Sequence, residues 1–168
     1  MKNGIGSHQS QKMQNDEWIT PQHIINALGE FDLDPCASVI RPWDTAKKHY
    51  TIEDNGLIKR WHGRIWLNPP YGKYTYLWLD KLALHGNGIA LVFARTETTM
   101  FFNSVWPHAT AILFIKGRLF FHYNTGERAK VNAGAPSCLI AYGNENAQTL
   151  SESRIKGKFF YISKSPGG

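Results

Sequence analysis

Arg64-Ile65-Trp66-Leu67-Asn68-Pro69-Pro70-Tyr71 is the stretch that decides how the rest of the chain is read. Its apolar start reads as a short buried strand, and the two prolines end that strand at once, because neither can donate a hydrogen bond to a ladder. An abrupt, stiff corner at the carboxyl end of a buried strand is where open α/β sheets bind ligands. On either side, strand-like runs at 31–34, 50–53, 88–94, 110–115, 118–123 and 137–142 alternate with helical stretches. This alternation predicts an α/β fold with a mostly parallel central sheet and helices on both faces.

The helices have their own signals. Thr20 is placed to cap the first, Pro21 to open its first turn, Ile24, Ile25 and Leu28 to face inward, and Gly29 to stop it. A second helix at 74–85 carries Tyr74, Leu77, Trp78 and Leu82 on one side, and a third follows Thr98 and ends near Pro107. Residues 1–16 are polar and without periodicity, predicting a flexible arm, and 163–168 read as a flexible tail. Between them, 17–162 read as a single domain, with 143–158 polar before the apolar burst 159–162.

The 168 residues suffice for one core, rich in aromatics with six Trp, seven Tyr and nine Phe. Nineteen Lys and Arg against thirteen Asp and Glu leave a formal charge of +6, which suits a polyanionic partner. Two cysteines cannot build a disulfide framework, no leader-like segment opens the chain, and no apolar run reaches the roughly 20 residues that span a bilayer. The expectation is a soluble cytoplasmic protein without membrane partners. The seven His are scattered, with no Cys at zinc-like spacing, so no metal is expected.

The chemistry centres on Asn68-Pro69-Pro70-Tyr71, a combination that chance supplies in about one such chain in two thousand. The Asn68 side-chain oxygen and the Pro69 carbonyl can accept hydrogen bonds from one amino group, Pro70 stiffens the corner, and Tyr71 offers a stacking face. A planar base with an exocyclic amine, such as adenine, suits this geometry, and in a duplex it would have to be flipped out. Earlier, Asp34-Pro35-Cys36-Ala37 ends a strand in a carboxylate and a small residue, and Asp54-Asn55-Gly56-Leu57 adds a second carboxylate and an apolar wall. Read alone, the second of these is an ordinary turn, and Trp18-Ile19-Thr20-Pro21 is a helix start.

In this order, together with Lys116-Gly117-Arg118, these segments resemble the phage DNA N-6-adenine-methyltransferase (Dam-like) family over roughly 17–142. The resemblance implies a compact, trimmed Rossmann-like methyltransferase fold using S-adenosyl-L-methionine. It also implies adenine-specific methylation of double-stranded DNA through a flipped base, in a phage or prophage setting where restriction-modification operates. By the same resemblance, Asn68, Pro69, Pro70 and Tyr71 form the catalytic loop. Trp18, Thr20, Pro21, Asp34, Pro35, Cys36, Ala37, Asp54 and Leu57 form the methyl-donor pocket. Cys36-Ala37-Ser38 stands where larger methyltransferases carry a Gly-x-Gly turn, and no separate target-recognition domain is present. DNA docking therefore falls to basic residues on loops, the candidates being Lys73, Arg95, Arg118, Arg128 and Lys130, with Phe120 and Phe121 offering a second aromatic face.

Amine methylation by direct in-line transfer needs no nucleophilic cysteine, so Cys36 reads as an inert small side chain near the donor. Two other functions remain open on the sequence: amino-methylation of RNA or of a protein glutamine by the same loop, and nucleic-acid binding without chemistry.

Overall fold

In the computed structural model, which describes residues 18–162, the apolar run before the prolines forms a fully buried strand, β3 (Ile65–Leu67). Around it lie β1 (Leu33–Asp34), β2 (Lys48–His49), β4 (Gly88–Phe93), β5 (Ala111–Ile115), β6 (Ser137–Tyr142) and β7 (Gly157–Tyr161). They make one seven-stranded sheet in the order β2-β1-β3-β4-β6-β5-β7. The expectation of a mostly parallel sheet holds only for its first part: β2, β1, β3 and β4 are parallel, whereas β6 runs antiparallel to both β4 and β5, and β7 antiparallel to β5. The fold is therefore mixed α/β, compatible with a methyltransferase-like architecture.

Strict alternation along the central strands builds two cores, because successive side chains leave a strand on opposite faces. Trp66, Ile89, Leu91, Leu113 and Leu139 face α1 (Gln22–Leu28) and α3 (Asn144–Glu152), which contribute Ile24, Ile25, Leu28, Ala147 and Leu150. Ile65, Leu67, Ala90, Val92 and Ile140 face α2 (Thr75–His85) and a π-helix (Phe101–Val105), which contribute Leu79, Leu82, Phe101 and Val105. Helices thus cover both faces. Each fully buried Leu or Ile in these layers stabilises by about 1.5–3 kcal/mol.

Several expectations are corrected. The outer strand lies at Lys48–His49 and not at 50–53, which form a turn closed by the Asp54 carboxylate. Residues 118–123 pair only through isolated bridges at His122, since this long excursion leaves the sheet and returns at β6. Thr20 does not cap α1: no side chain does, although Ile24, Ile25 and Leu28 are buried as expected and Gly29 ends the helix at φ +79°. On α2 the buried side is Thr75, Leu79 and Leu82, while Tyr74 and Leu77 are exposed and Trp78 is half-buried. The third helix includes a π-turn, marked by donation from Trp106 N–H to the Phe101 carbonyl at 2.9 Å. The polar segment after Tyr142 contains α3, and the late apolar burst becomes the edge strand β7, with Phe160 and Tyr161 exposed. The expected arm, 1–16, and tail, 163–168, lie outside the described residues.

Candidate active site

Two cavities lie beyond the carboxyl ends of β1, β3 and β4, where the strand-like runs placed the candidate segments. The first, of about 500 Å³, is walled by the loop after β1, the turn after β2, the corner after β3 and the segment 18–20. The second, of about 830 Å³, lies between the start of α2 and the residues after β4. Tyr71 lines both.

The corner is fixed from several sides. Thr75 donates its hydroxyl to the Pro70 carbonyl at 2.6 Å and accepts from Gly72 N–H at 3.0 Å. The Cys36 thiol donates to the Asn68 carbonyl at 3.2 Å, joining the loop after β1 to the corner after β3. Asn68 donates its side-chain amide to the Trp18 carbonyl at 2.9 Å. That bond orients the amide and leaves its oxygen buried without a partner. The Tyr71 ring stacks on Phe93 at 4.3 Å with 8° between planes, and burial pushes its phenol well above the usual range.

Asp34 is the buried carboxylate of this cavity. It accepts from Cys36 N–H at 3.1 Å and from the Thr45 hydroxyl. Burial pushes its pKa up to about 6, against the opposing pull of those two bonds and of Arg41. Burial also raises the Cys36 thiol, with the Asp34 charge adding to it, so the thiol stays protonated and is a poor nucleophile. Gly56 holds the wall of the turn after β2, because a Cβ there would lie 1.9 Å from the Pro35 carbonyl. The Lys81 ammonium ties the same wall down by donating to the carbonyls of Leu57 at 2.7 Å and Gly56 at 3.4 Å.

Of the sequence candidates, Trp18, Thr20, Asp34, Pro35, Cys36, Ala37, Asn68, Pro69, Pro70 and Tyr71 come together around the first cavity. Pro21, Asp54 and Leu57 do not line it. The Asp54 carboxylate turns back to accept from Thr51 N–H at 2.8 Å, shaping the loop whose residues Thr51, Ile52, Asn55 and Gly56 make the wall. Sequence reasoning passed over Arg41, Trp43 and Thr45, which come from a loop with no motif, and Trp66, which the alternation from Asn68 would have placed on the same strand face.

Among the basic candidates, Lys73 and Arg95 line the second cavity. Arg118, Arg128 and Lys130 stand exposed on the excursion 116–136. Arg118 donates to the Ala133 carbonyl at 3.3 Å, and Arg128 lies 3.8 Å from the centre of the Phe120 ring. Phe121 is buried while Phe120 is half-buried, as alternation predicts. The excursion is pinned beside the first cavity by a reciprocal pair of backbone bonds between Ile19 and His122, both 2.9 Å. The Trp18 and Tyr123 rings reinforce it at 5.4 Å.

Among the described residues, no three His, Cys, Asp or Glu are grouped to hold a metal ion, and no helix is long and apolar enough to cross a membrane. No curated protein and no solved structure matches the chain. A family model described as DNA N-6-adenine-methyltransferase (Dam) matches residues 6–156, in agreement with the resemblance carried by the motifs, and the chain belongs to that family.

Proposed function

We propose that the protein methylates the exocyclic amine of adenine in DNA, taking the methyl group from S-adenosylmethionine and acting on a base flipped out of the duplex. The observation that carries this reading is the state of Asn68: its amide nitrogen is spent on Trp18, and its oxygen is a buried acceptor with nothing to accept from. A buried acceptor left unmet costs roughly 1–3 kcal/mol, a cost that an amine-bearing substrate removes.

The first cavity fits the donor. Its volume falls within the ~300–1,000 Å³ range of ligand sites, and Asp34 is a buried carboxylate without a cation in contact among its partners. Asp34, Cys36 and Ala37 would hold the donor from the β1 side, with Thr20 and Asn68 opposite. When bound, the donor supplies a methyl carbon activated by a sulfonium leaving group. Asn68 and the Pro69 carbonyl accept the amine hydrogens, and the nitrogen lone pair forms the new N–C bond as the S–C bond breaks. The neutral thioether, S-adenosylhomocysteine, leaves with the S–C bonding pair, and the methylated amine gives up one proton to solvent water. Tyr71, braced by Phe93, offers the base its aromatic edge or face, and the double proline keeps both acceptors in place before reaction, which is where most of the rate advantage of such a site arises.

Docking on DNA would fall to Arg118, Arg128 and Lys130, exposed on the excursion, and to Lys73 and Arg95 at the second cavity, as cations for phosphates. The phage or prophage setting, the cytoplasm of the host and a link to restriction-modification complete the proposal. The test is incubation with methyl-labelled donor and, separately, duplex DNA, structured RNA and a glutamine-bearing protein. Label in DNA alone is the expected result. Label in RNA or protein alone would overturn the substrate, and heat-free titration with S-adenosylmethionine would overturn the enzyme reading in favour of a binding module.

A further inference from the structure

Among the described residues, seven buried polar side-chain atoms have no hydrogen-bond partner, and four of them belong to residues lining the first cavity: Thr20 Oγ1, Trp66 Nε1, Asn68 Oδ1 and Tyr71 Oη. The Asn68 oxygen is accounted for by the substrate amine. Trp66 is not accounted for. It is fully buried in the middle of a short apolar strand, where an indole ordinarily serves as core, yet its N–H can only donate and meets no acceptor.

Register shows what lies beside it. Leu33 of β1 is the parallel partner of Ile65 of β3, and both enter the core facing α2. The next residues, Asp34 and Trp66, therefore leave the sheet together on the opposite face, one strand spacing apart, about 5 Å. Thr20, 2% exposed, reaches the same cavity from the segment that Asn68 grips through Trp18. The lining of one cavity thus combines an acceptor carboxylate with two unpartnered donors, an indole N–H and a hydroxyl. That set is complementary to an ammonium and a carboxylate carried on the same carbon.

We propose that Trp66, assisted by Thr20, binds the carboxylate of the amino-acid tail of the methyl donor while Asp34 receives the ammonium, so that this core tryptophan is a specificity residue for the intact tail. The inference rests on the donor reading above. It gives the Trp66 N–H a role beyond the packing of its ring against Phe31, whose ring centre lies 5.4 Å away. It also gives the cavity a way to reject adenosine derivatives that carry an amine but no carboxylate.

The test compares calorimetric binding of S-adenosylhomocysteine with that of its decarboxylated analogue. The wild-type protein should prefer the intact compound by tenfold or more, and in Trp66→Phe and Thr20→Val the preference should shrink to within about threefold, mainly through weaker binding of the intact compound. Equal binding of the two compounds by the wild type, or full preference retained in both variants, overturns the assignment. No binding of S-adenosylhomocysteine at all would instead defeat the donor reading itself. Should Trp66→Phe not fold, the Trp66 indole N–H resonance of the wild-type protein, assigned by site-specific labelling, decides: it should move downfield with the intact compound and stay in place with the decarboxylated one. An unmoved resonance with both refutes the proposal.

Discussion

Replacing Asn68 by alanine separates what this side chain does for the fold from what it does for the reaction. In the fold it makes one bond, the 2.9 Å donation to the Trp18 carbonyl. Losing a single hydrogen bond of this kind costs about 1 kcal/mol, which lowers the Tm of a chain this long by about 2–4 °C. In the reaction the missing group is an oriented acceptor, and removing one such group from a preorganised site costs about 2–4 kcal/mol of transition-state stabilisation, or about 30- to 900-fold in kcat. Donor affinity should fall much less. Label transfer to DNA under single-turnover conditions reads the first effect, and calorimetry with S-adenosylhomocysteine reads the second. Asn68→Asp keeps an acceptor and loses the donation to Trp18, so it should retain more turnover than Asn68→Ala even though a buried carboxylate set against the Trp18 carbonyl lowers its Tm further. Turnover within a few-fold of wild type in Asn68→Ala, or a loss that lies wholly in donor binding, would refute the assignment.

Gly56→Ala forces a methyl against the Pro35 carbonyl, so the loops must part. Thermal denaturation should show a loss of about 1–3 kcal/mol, with weaker S-adenosylhomocysteine binding. The carboxyl of Asp34 is pushed up to about 6 by burial, so in the unliganded protein its contribution destabilises the fold above that pH and disappears as the group protonates on acidification. Because a bound ammonium favours the ionised form, S-adenosylhomocysteine affinity should rise between pH 5 and pH 7, and Asp34→Asn should flatten that dependence in a pH series of titrations. Arg128→Ala should weaken DNA binding and make the slope of log affinity against log salt shallower by about 0.9. An unchanged slope would move Arg128 off the DNA.

The parts of the fold legible in the sequence were those fixed by neighbours along the chain. An apolar run stopped by two prolines could hardly be other than β3 and its corner, and Ile24, Ile25 and Leu28 repeat at a helical period before a glycine with positive φ. Direction of pairing was not legible, because Ser137–Tyr142 is apolar on both faces whether its neighbours run with it or against it, and only the long excursion at 116–136 brings it back antiparallel between β4 and β5. Residues 118–123 show why local propensity misleads: they alternate like a strand, but their ladder is reduced to isolated bridges at His122, and their other backbone bonds run within the excursion, to Glu127, Ala129 and Ala133. On α3, Asn146 takes a buried position and donates to the Tyr142 carbonyl at 2.8 Å, so the apolar period that signals a helix is weakened by a satisfied polar residue.

In the site, the segments that ended strands could be found because the chemistry is concentrated there. Arg41, Trp43 and Thr45 could not, since a loop without a motif joins the cavity only through tertiary contacts such as Trp43 N–H to the Thr20 carbonyl at 3.2 Å. Asp54 illustrates the converse, a carboxylate whose position in a turn invited a ligand role and whose hydrogen bonds to Thr51 make it a brace for the cavity wall.

The most direct measurement of the central claim is nucleoside analysis of duplex DNA incubated with the purified protein and methyl-labelled S-adenosylmethionine. Label should appear in N6-methyldeoxyadenosine, in quantity that collapses with Asn68→Ala. Label confined to another nucleoside, or none in any while the donor is demonstrably bound, would contradict it.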